Sequence, residues 1–128
     1  MPGGWRSSIL STAEQGIILT VFTPAYNRVH TLPRTYESMR AQTCKDFIWL
    51  VVDDGSTDNT AGLVKQWQQA DNGFEIVYVY KENGGMHTAH NMAYENIHTE
   101  LNVCIDSDDS MTPDAVAAIL AKWRQVKK

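Results

Sequence analysis

Several features that define other classes of protein are scarce in this 128-residue sequence. It has two cysteines, Cys44 and Cys104, which are too few for a disulfide scaffold and lack the spacing of a zinc site. We therefore expect reduced thiols, with Cys104 packed inside the apolar run around it. No segment reaches the roughly 20 apolar residues that span a bilayer, and residues 1–15 lack the apolar core of a signal peptide. A cytoplasmic protein without a transmembrane segment is the expectation.

Positive charge is also in short supply. The chain has 11 basic and 15 acidic residues, and no stripe of Lys and Arg is present. Because proteins grip nucleic acids mainly through such stripes, we expect no nucleic acid partner. The glycine pattern G-x-G-x-x-G is missing too, so a nicotinamide site is unsupported. With 43% hydrophobic and 20% charged residues, the composition is that of one globular domain with a sheet and covering helices.

Four short apolar runs recur along the chain, each followed by a segment with helical periodicity. The runs cover residues 16–22, 47–52, 74–80 and 101–105. Near-continuous apolar runs are typical of strands that are buried on both faces of a parallel sheet. The repeated strand–helix order therefore predicts an α/β fold with an open, mainly parallel sheet and helices on both faces. We expect residues 1–15 to form an N-terminal arm and residues 16–128 to form the domain.

Polar residues follow every predicted strand. They read TPAYN at residues 23–27, DDGST at 53–57, KENGG at 81–85 and DSDD at 106–109. Ligands of open α/β sheets bind at the carboxyl ends of the strands, so a site is expected there. The aspartates in these segments repel one another unless a cation joins them, and oxygen ligands without His or Cys favour Mg²⁺ or Mn²⁺. Helix and turn capping explains single aspartates, but it does not explain two clusters at one edge.

The third helix adds two smaller features. Gly84 and Gly85 are expected to form a turn with positive φ and to bring backbone amides to a phosphate at the N-terminus of the helix. His87 and His90 lie three residues apart on this helix. A zinc pair would need a third ligand, which is not evident, so a surface or loop-supporting role is favoured.

Taken together, four motifs resemble those of the inverting family 2 glycosyltransferases, which have a GT-A fold. They are VFTPAYN at residues 21–27, VDDGSTD at 52–58, ENGG at 82–85 with Ala89 and Asn91, and DSDD at 106–109. The resemblance covers the chain from about residue 16 onward. It implies the strand order 3-2-1-4 and the transfer of a sugar from a nucleotide-diphosphate sugar, with a UDP-sugar favoured, to a hydroxyl of a saccharide or another acceptor.

The resemblance also implies roles for individual residues. Pro24 and Tyr26 would line the base pocket, with Tyr26 stacked on the base, and Asp54 would accept a ring N–H of uracil or a similar base. Asp53 would support the loop or the ribose, and His90 would contact the diphosphate. The implied donor-binding residues are Pro24, Tyr26, Asn27, Asp53, Asp54, Asn83, Gly84, Gly85, His90 and Asp106.

Asp106 and Asp108 would form the D-x-D motif of the family, with Asp106 near the ribose and the metal and Asp108 as the firmest metal ligand. A divalent Mn²⁺ or Mg²⁺ ion on the two phosphates stabilises the leaving diphosphate as a Lewis acid. The acceptor hydroxyl needs a general base, which the family carries beyond D-x-D in its acceptor-binding portion. We therefore expect this chain to be the donor-binding half, which transfers sugar poorly by itself and comes from an enzyme that is cytoplasmic or peripheral at a membrane.

Three other classes share parts of the pattern. A D-x-D phosphatase fits Asp106-Ser-Asp108 but needs a lysine and further acids at later strand ends. A phosphoacceptor receiver domain would have its acid pair after the first strand. A metal-dependent adhesion module has D-x-S-x-S, whereas this chain has Asp58 in place of the last serine. Thermal stabilisation by UDP with Mn²⁺ would favour the transferase over the adhesion module.

Overall fold

The computed structural model describes residues 17–127, so the expected arm of residues 1–15 lies outside the described residues. Strands and helices alternate through this part of the chain. They are β1 (Leu19–Ala25), α1 (Leu32–Arg40), β2 (Ile48–Asp54), α2 (Thr60–Gln68), β3 (Glu75–Lys81), α3 (Met86–Glu95), β4 (Leu101–Cys104) and α4 (Ala115–Lys127). Among the described residues, no helix has the length and apolar character needed to cross a membrane.

The strands form one parallel sheet in the order β3-β2-β1-β4, which confirms the predicted architecture. β1 lies inside the sheet, between β2 and β4. It pairs with β2 from Thr20 to Ala25, but with β4 only from Leu19 to Phe22. The carboxyl end of β1 therefore extends beyond its pairing with β4, which leaves a step at this edge of the sheet.

This step explains how a proline fits into an interior strand. The Phe22 carbonyl accepts a hydrogen bond from the Ile105 N–H at 3.0 Å, so the backbone polar groups of Phe22 point toward β4. Backbone groups alternate in direction along a strand, so Pro24 is directed to the same edge. Because pairing with β4 has ended there, the missing N–H of Pro24 removes no hydrogen bond from the ladder.

The sheet buries an apolar layer on each face. The larger layer packs α1, α2 and α4 against the sheet, and its members include Leu19, Val21, Tyr36, Met39, Trp49, Val51, Val64, Trp67, Val116 and Leu120. In the smaller layer, Ala89 and Ala93 of α3 pack against Phe22, Leu50 and Val52. Helices on both faces were predicted, and the two layers confirm them.

The expectation that Cys104 is packed inside the protein is wrong. Both cysteines are free thiols, as expected, but Cys104 is exposed. It pairs with Phe22 in the parallel register and so lies on the face of the sheet that α3 covers. α3 packs over β2 and β1, whereas Cys104 belongs to the edge strand β4. An apolar run on an edge strand is therefore left partly uncovered.

Candidate functional site

A cavity of about 560 Å³ lies where β1 and β4 end. After β1 the chain adds β2 and β3 on one side, and after α3 it returns to place β4 on the other side. Such a reversal in strand order leaves a crevice at the carboxyl ends of the two neighbouring strands. The volume is in the range of small-molecule sites. The lining residues are Pro24, Tyr26, Asn27, Arg28, Met86, Asp106, Ser107 and Asp108.

The structure divides the predicted site residues into two groups. Those that line the cavity are Pro24, Tyr26, Asn27, Asp106 and Asp108. The others, at the end of β2, in the loop after β3 and in α3, are not among its lining residues: Asp53, Asp54, Asn83, Gly84, Gly85 and His90. The sequence interpretation missed Arg28, Met86 and Ser107. Arg28 follows the TPAYN segment directly and Met86 follows the glycine pair, so their positions at strand ends were the available signal.

Asp106 and Asp108 present two carboxylates to the cavity. Both residues are exposed, whereas Ser107 between them is 6% exposed. Within residues 17–127, neither carboxylate is bonded to a protein donor; only the backbone carbonyls are, with Asp109 N–H on Asp106 at 3.0 Å and Arg34 Nη2 on Asp108 at 2.9 Å. The two side chains are therefore available to a cation.

This pair suits a hard divalent cation that is shared with a ligand. Among the described residues, no group of three or more His, Cys, Asp and Glu side chains could hold a metal. Mg²⁺ is commonly bound by one or two carboxylates, with phosphate oxygens and water as its other ligands. Asp106 and Asp108 fit this mode of binding. They do not fit a closed site built from protein ligands alone.

Asp54, by contrast, is buried and fully bonded within the protein. Its Oδ1 accepts from Lys81 Nζ at 2.7 Å and from the Gly84 N–H at 3.0 Å. Its Oδ2 accepts from the Gly85 N–H at 3.0 Å and from Asn83 Nδ2 at 3.4 Å. Burial raises the pKa of the Asp54 carboxyl, but the lysine and the two amides outweigh this and hold the pKa below its ordinary value.

The glycine amides therefore serve this carboxylate in the structure. Gly85 has φ +95°, which confirms the positive-φ turn that was expected before α3. The N–H groups of Gly84 and Gly85 point to Asp54 at the end of β2, so the N-terminus of α3 already has an anion from the protein. Contacts of Gly84, Gly85 and Asp54 with a nucleotide-sugar donor remain predictions.

Asp53 lies on the face of the sheet opposite to Asp54, and it accepts a hydrogen bond from the start of the loop after β2. Its Oδ1 accepts from the Ser56 N–H at 2.8 Å, and its Oδ2 accepts from the Tyr78 hydroxyl at 2.6 Å. Burial and the bond to Asp53 together raise the pKa of the Tyr78 hydroxyl, so this hydroxyl stays protonated as the donor. The bond to Ser56 fits the loop-supporting role that was expected of Asp53.

His90 packs on the α3 face of the sheet. Its Nδ1 lies 3.0 Å from the Met86 carbonyl, and its ring meets the Phe22 ring edge-on at 5.6 Å. Its Nε2 lies 3.8 Å from the Cys104 sulfur. These contacts match a supporting role, and contact of His90 with a diphosphate remains a prediction.

Asn27 ties the loop after β1 to the loop after β2. Its N–H donates to Ser56 Oγ at 2.9 Å, and its Oδ1 accepts from the N–H groups of Thr57 at 2.8 Å and Asp58 at 3.3 Å. In return, Asp58 Oδ2 accepts from the Val29 N–H at 3.2 Å. The carbonyl oxygen of the Asn27 side chain is therefore engaged by the protein, although the residue also lines the cavity.

Solved structures of GT-A glycosyltransferases have a similar open parallel sheet. S. aureus TarS (residues 1–349) in complex with UDP-GlcNAc has a TM-score of 0.74 and 26% identity, covering 81% of this chain and 30% of TarS. The mannosyltransferase PcManGT from Pyrobaculum calidifontis, in complex with GDP-Man and Mn²⁺, has a TM-score of 0.74 and 26% identity, covering 82% of this chain and 31% of PcManGT.

The sequence model of glycosyl transferase family 2 matches residues 20–128, and the chain belongs to that family. Glycosyltransferase GlyA of Streptococcus pneumoniae is 33% identical over 81% of this chain. The putative teichuronic acid biosynthesis glycosyltransferase TuaG of Bacillus subtilis is 32% identical over 76% of it. The matched regions make up 15% of GlyA and 38% of TuaG, so the chain spans well under half the length of either relative. The family and the fold implied by the four motifs are confirmed.

Proposed function

We propose that this chain binds the sugar donor and the metal ion of an inverting glycosyltransferase, which moves a sugar from a nucleotide-diphosphate sugar to an acceptor hydroxyl. The observation that carries the proposal is the presence of Tyr26, Asp106 and Asp108 in one cavity. An exposed aromatic ring and two unbonded carboxylates offer separate sites for a base and for a cation-bound diphosphate.

In this proposal the end of β1 binds the base of the sugar donor, and the segment after β4 binds its diphosphate through a cation. Tyr26 is 42% exposed and stacks on the base beside Pro24. Asp106 and Asp108 would hold Mn²⁺ or Mg²⁺, and the ion would supply Lewis-acid stabilisation of the departing diphosphate. Arg28 adds a positive side chain to the same cavity, and its guanidinium makes no hydrogen bond or ion pair within residues 17–127.

Recognition of the base by Asp54 is a further part of the proposal. Its four acceptor positions are filled, so a ring N–H must replace one of the protein donors. Asn83 Nδ2 makes the longest of these bonds, at 3.4 Å, and is the donor that we expect to give way. The UDP of one solved neighbour and the GDP-Man of another both carry a ring N–H that a carboxylate can accept, and we favour UDP.

The general base is proposed to lie outside residues 17–127. The carboxylates that line the cavity within these residues are Asp106 and Asp108, and both are assigned to the cation. Inversion needs a base on the face of the sugar opposite the leaving group. We therefore expect the chain alone to bind a donor and to transfer its sugar slowly. A saccharide acceptor, and a cytoplasmic location with the intact enzyme at most peripheral to a membrane, remain predictions from the sequence.

Isothermal titration with UDP and with GDP, each with and without Mn²⁺, tests the proposal. We expect one nucleotide to bind, to bind more tightly with Mn²⁺ and to raise the melting temperature, since a ligand of the folded state stabilises it. Tyr26→Ala should weaken this binding. Stabilisation by Mn²⁺ without binding of either nucleotide would reject the transferase and favour the adhesion module. Rapid sugar transfer by the chain alone would reject only the assignment of the base to another segment.

A further inference from the structure

The loop after β1 has an unusual backbone conformation in the middle of the candidate donor site. Asn27 has φ +52°, in the left-handed region that glycine adopts freely and that few other residues besides Asn and Asp adopt. Tyr26, Asn27 and Arg28 all line the cavity, although neighbouring residues of an extended strand alternate between opposite faces. The turn at Asn27 therefore brings three consecutive residues to one site.

This conformation is held from outside the loop. The Asn27 N–H and the Asn27 carboxamide oxygen are bonded to Ser56, Thr57 and Asp58 of the loop after β2. Asp58 is itself fixed, because its Oδ1 accepts from the Thr60 N–H at 3.0 Å. Burial raises the pKa of the Asp58 carboxyl, but the bonds from Thr60 and Val29 outweigh this and lower the pKa, so the carboxylate persists as an acceptor.

We propose that Asn27 is a positioning residue for donor binding. It holds Tyr26 and Arg28 at the cavity because it adopts the left-handed conformation and because it hydrogen-bonds the loop after β1 to the loop after β2. This inference rests on the proposed function, and it assigns Asn27 a role other than direct contact with the donor. A loop that samples several conformations lowers the apparent affinity by the fraction of time it spends in the competent one.

Two substitutions at Asn27 separate positioning from direct contact. Asn27→Ala and Asn27→Gly both remove the carboxamide, but only glycine adopts φ +52° without a steric penalty. We expect Asn27→Ala to weaken the binding of UDP with Mn²⁺ roughly tenfold, and Asn27→Gly to weaken it about threefold. If Asn27 acted only by contacting the sugar donor through its carboxamide, the two substitutions would weaken binding equally.

A control variant separates positioning from general destabilisation. Thr20 Oγ1 lies 2.7 Å from Thr99 Oγ1, near the amino end of β1 and away from the cavity. Thr20→Val removes this hydrogen bond at nearly constant volume. It should lower the melting temperature and leave the affinity for UDP unchanged.

Amide hydrogen exchange provides a readout that does not depend on the ligand. The N–H groups of Thr57 and Asp58 donate to Asn27, so they should exchange faster in both Asn27 variants than in Thr20→Val. Unchanged exchange, wild-type affinity in Asn27→Ala, or equal weakening by alanine and glycine would each overturn the inference. If the unsubstituted chain binds neither UDP nor GDP, the proposed function fails, and the donor role of Asn27 fails with it.

Discussion

Two acidic segments at the same edge of the sheet have opposite surroundings. Asp54 ends β2, is 3% exposed and is bonded to four protein donors. Asp106 and Asp108 follow β4, are exposed and have no protein donor on their carboxylates within residues 17–127. β2 has a strand on each side, and the end of β3 and the loop after it supply a lysine and two amides to its tip, whereas the tip of β4 opens onto the cavity. Position in the sheet, and not residue type, decides which aspartates are left for a ligand.

Breaking the buried ion pair should have the largest effect. Lys81→Met leaves the Asp54 carboxylate without its cation while both side chains are largely buried, at 12% and 4% exposed. We expect the free energy of unfolding to fall by about 3 kcal/mol, because an uncompensated charge stays buried. Urea denaturation measures this change.

The exposed pair Glu37–Arg40 provides the control for that measurement. Its charged atoms are 3.7 Å apart and its side chains are 66% and 49% exposed, so Glu37→Gln, which leaves Arg40 over the Tyr36 ring, should cost no more than about 0.5 kcal/mol. If Lys81→Met costs as little as Glu37→Gln, the Asp54 network does not stabilise the fold as its geometry indicates.

The exposed carboxylates of Asp106 and Asp108 should affect nucleotide binding without affecting folding. Asp108→Asn should weaken Mn²⁺-dependent nucleotide binding by roughly ten- to a hundredfold, on the scale found for residues that support metal sites. Its free energy of unfolding should stay within about 0.5 kcal/mol of the unsubstituted value. Titration calorimetry and urea denaturation of the same samples give both quantities.

Asp109→Asn is the matched control for Asp108→Asn. It removes the same charge one residue further on, from a side chain that does not line the cavity. Equal losses of affinity in the two variants would mean that total charge, and not a metal ligand at Asp108, governs binding.

The smallest effect is a difference in acid sensitivity. The pKa of Asp54 in the folded protein lies below the ordinary value of 3.8, so its bonds stabilise the fold fully above that pH. This stabilisation is lost as the pH falls through the lower, folded pKa. The free energy of unfolding should therefore decline less steeply with acid in Asp54→Asn, with Asp58 contributing the remaining slope through its own lowered pKa. Denaturation curves collected from about pH 5 to pH 2 test this, and parallel declines would show that Asp54 has an ordinary pKa.

Most of the fold could be predicted because its signals are local and repeated. Apolar runs and helical stripes predicted each strand and helix of the described residues, although some predicted strand ends differ from the observed ones by a few residues. The first predicted strand stopped at Phe22, whereas β1 continues to Ala25. A proline counts against a strand in sequence, and only the pairing partners reveal that its missing N–H falls at an unpaired edge.

The site was harder to predict because its geometry depends on contacts between loops. Strand order fixes which strand ends are neighbours, so the sequence could indicate that Tyr26, Asp106 and Asp108 lie near one another, and all three line the cavity. Their roles in donor and metal binding stay predictions. Lys81 is the partner of Asp54 in the parallel register of β2 and β3, whereas the contact of Asp54 with Gly84 depends on how the loop after β3 folds back. Nothing in the spacing of the two segments specifies that contact.

The step between β1 and β4 bears on how the cavity should respond to substitution. Pro24 and Ala25 still belong to a strand that is paired with β2, so this side of the cavity is sheet and not loop. A paired strand with a proline next to its last residue resists deformation, because the φ of proline is fixed. Redesign for another nucleobase or sugar should therefore target side chains around the rim, such as Arg28 and Met86. The backbone at Pro24 should keep its conformation in each of these variants.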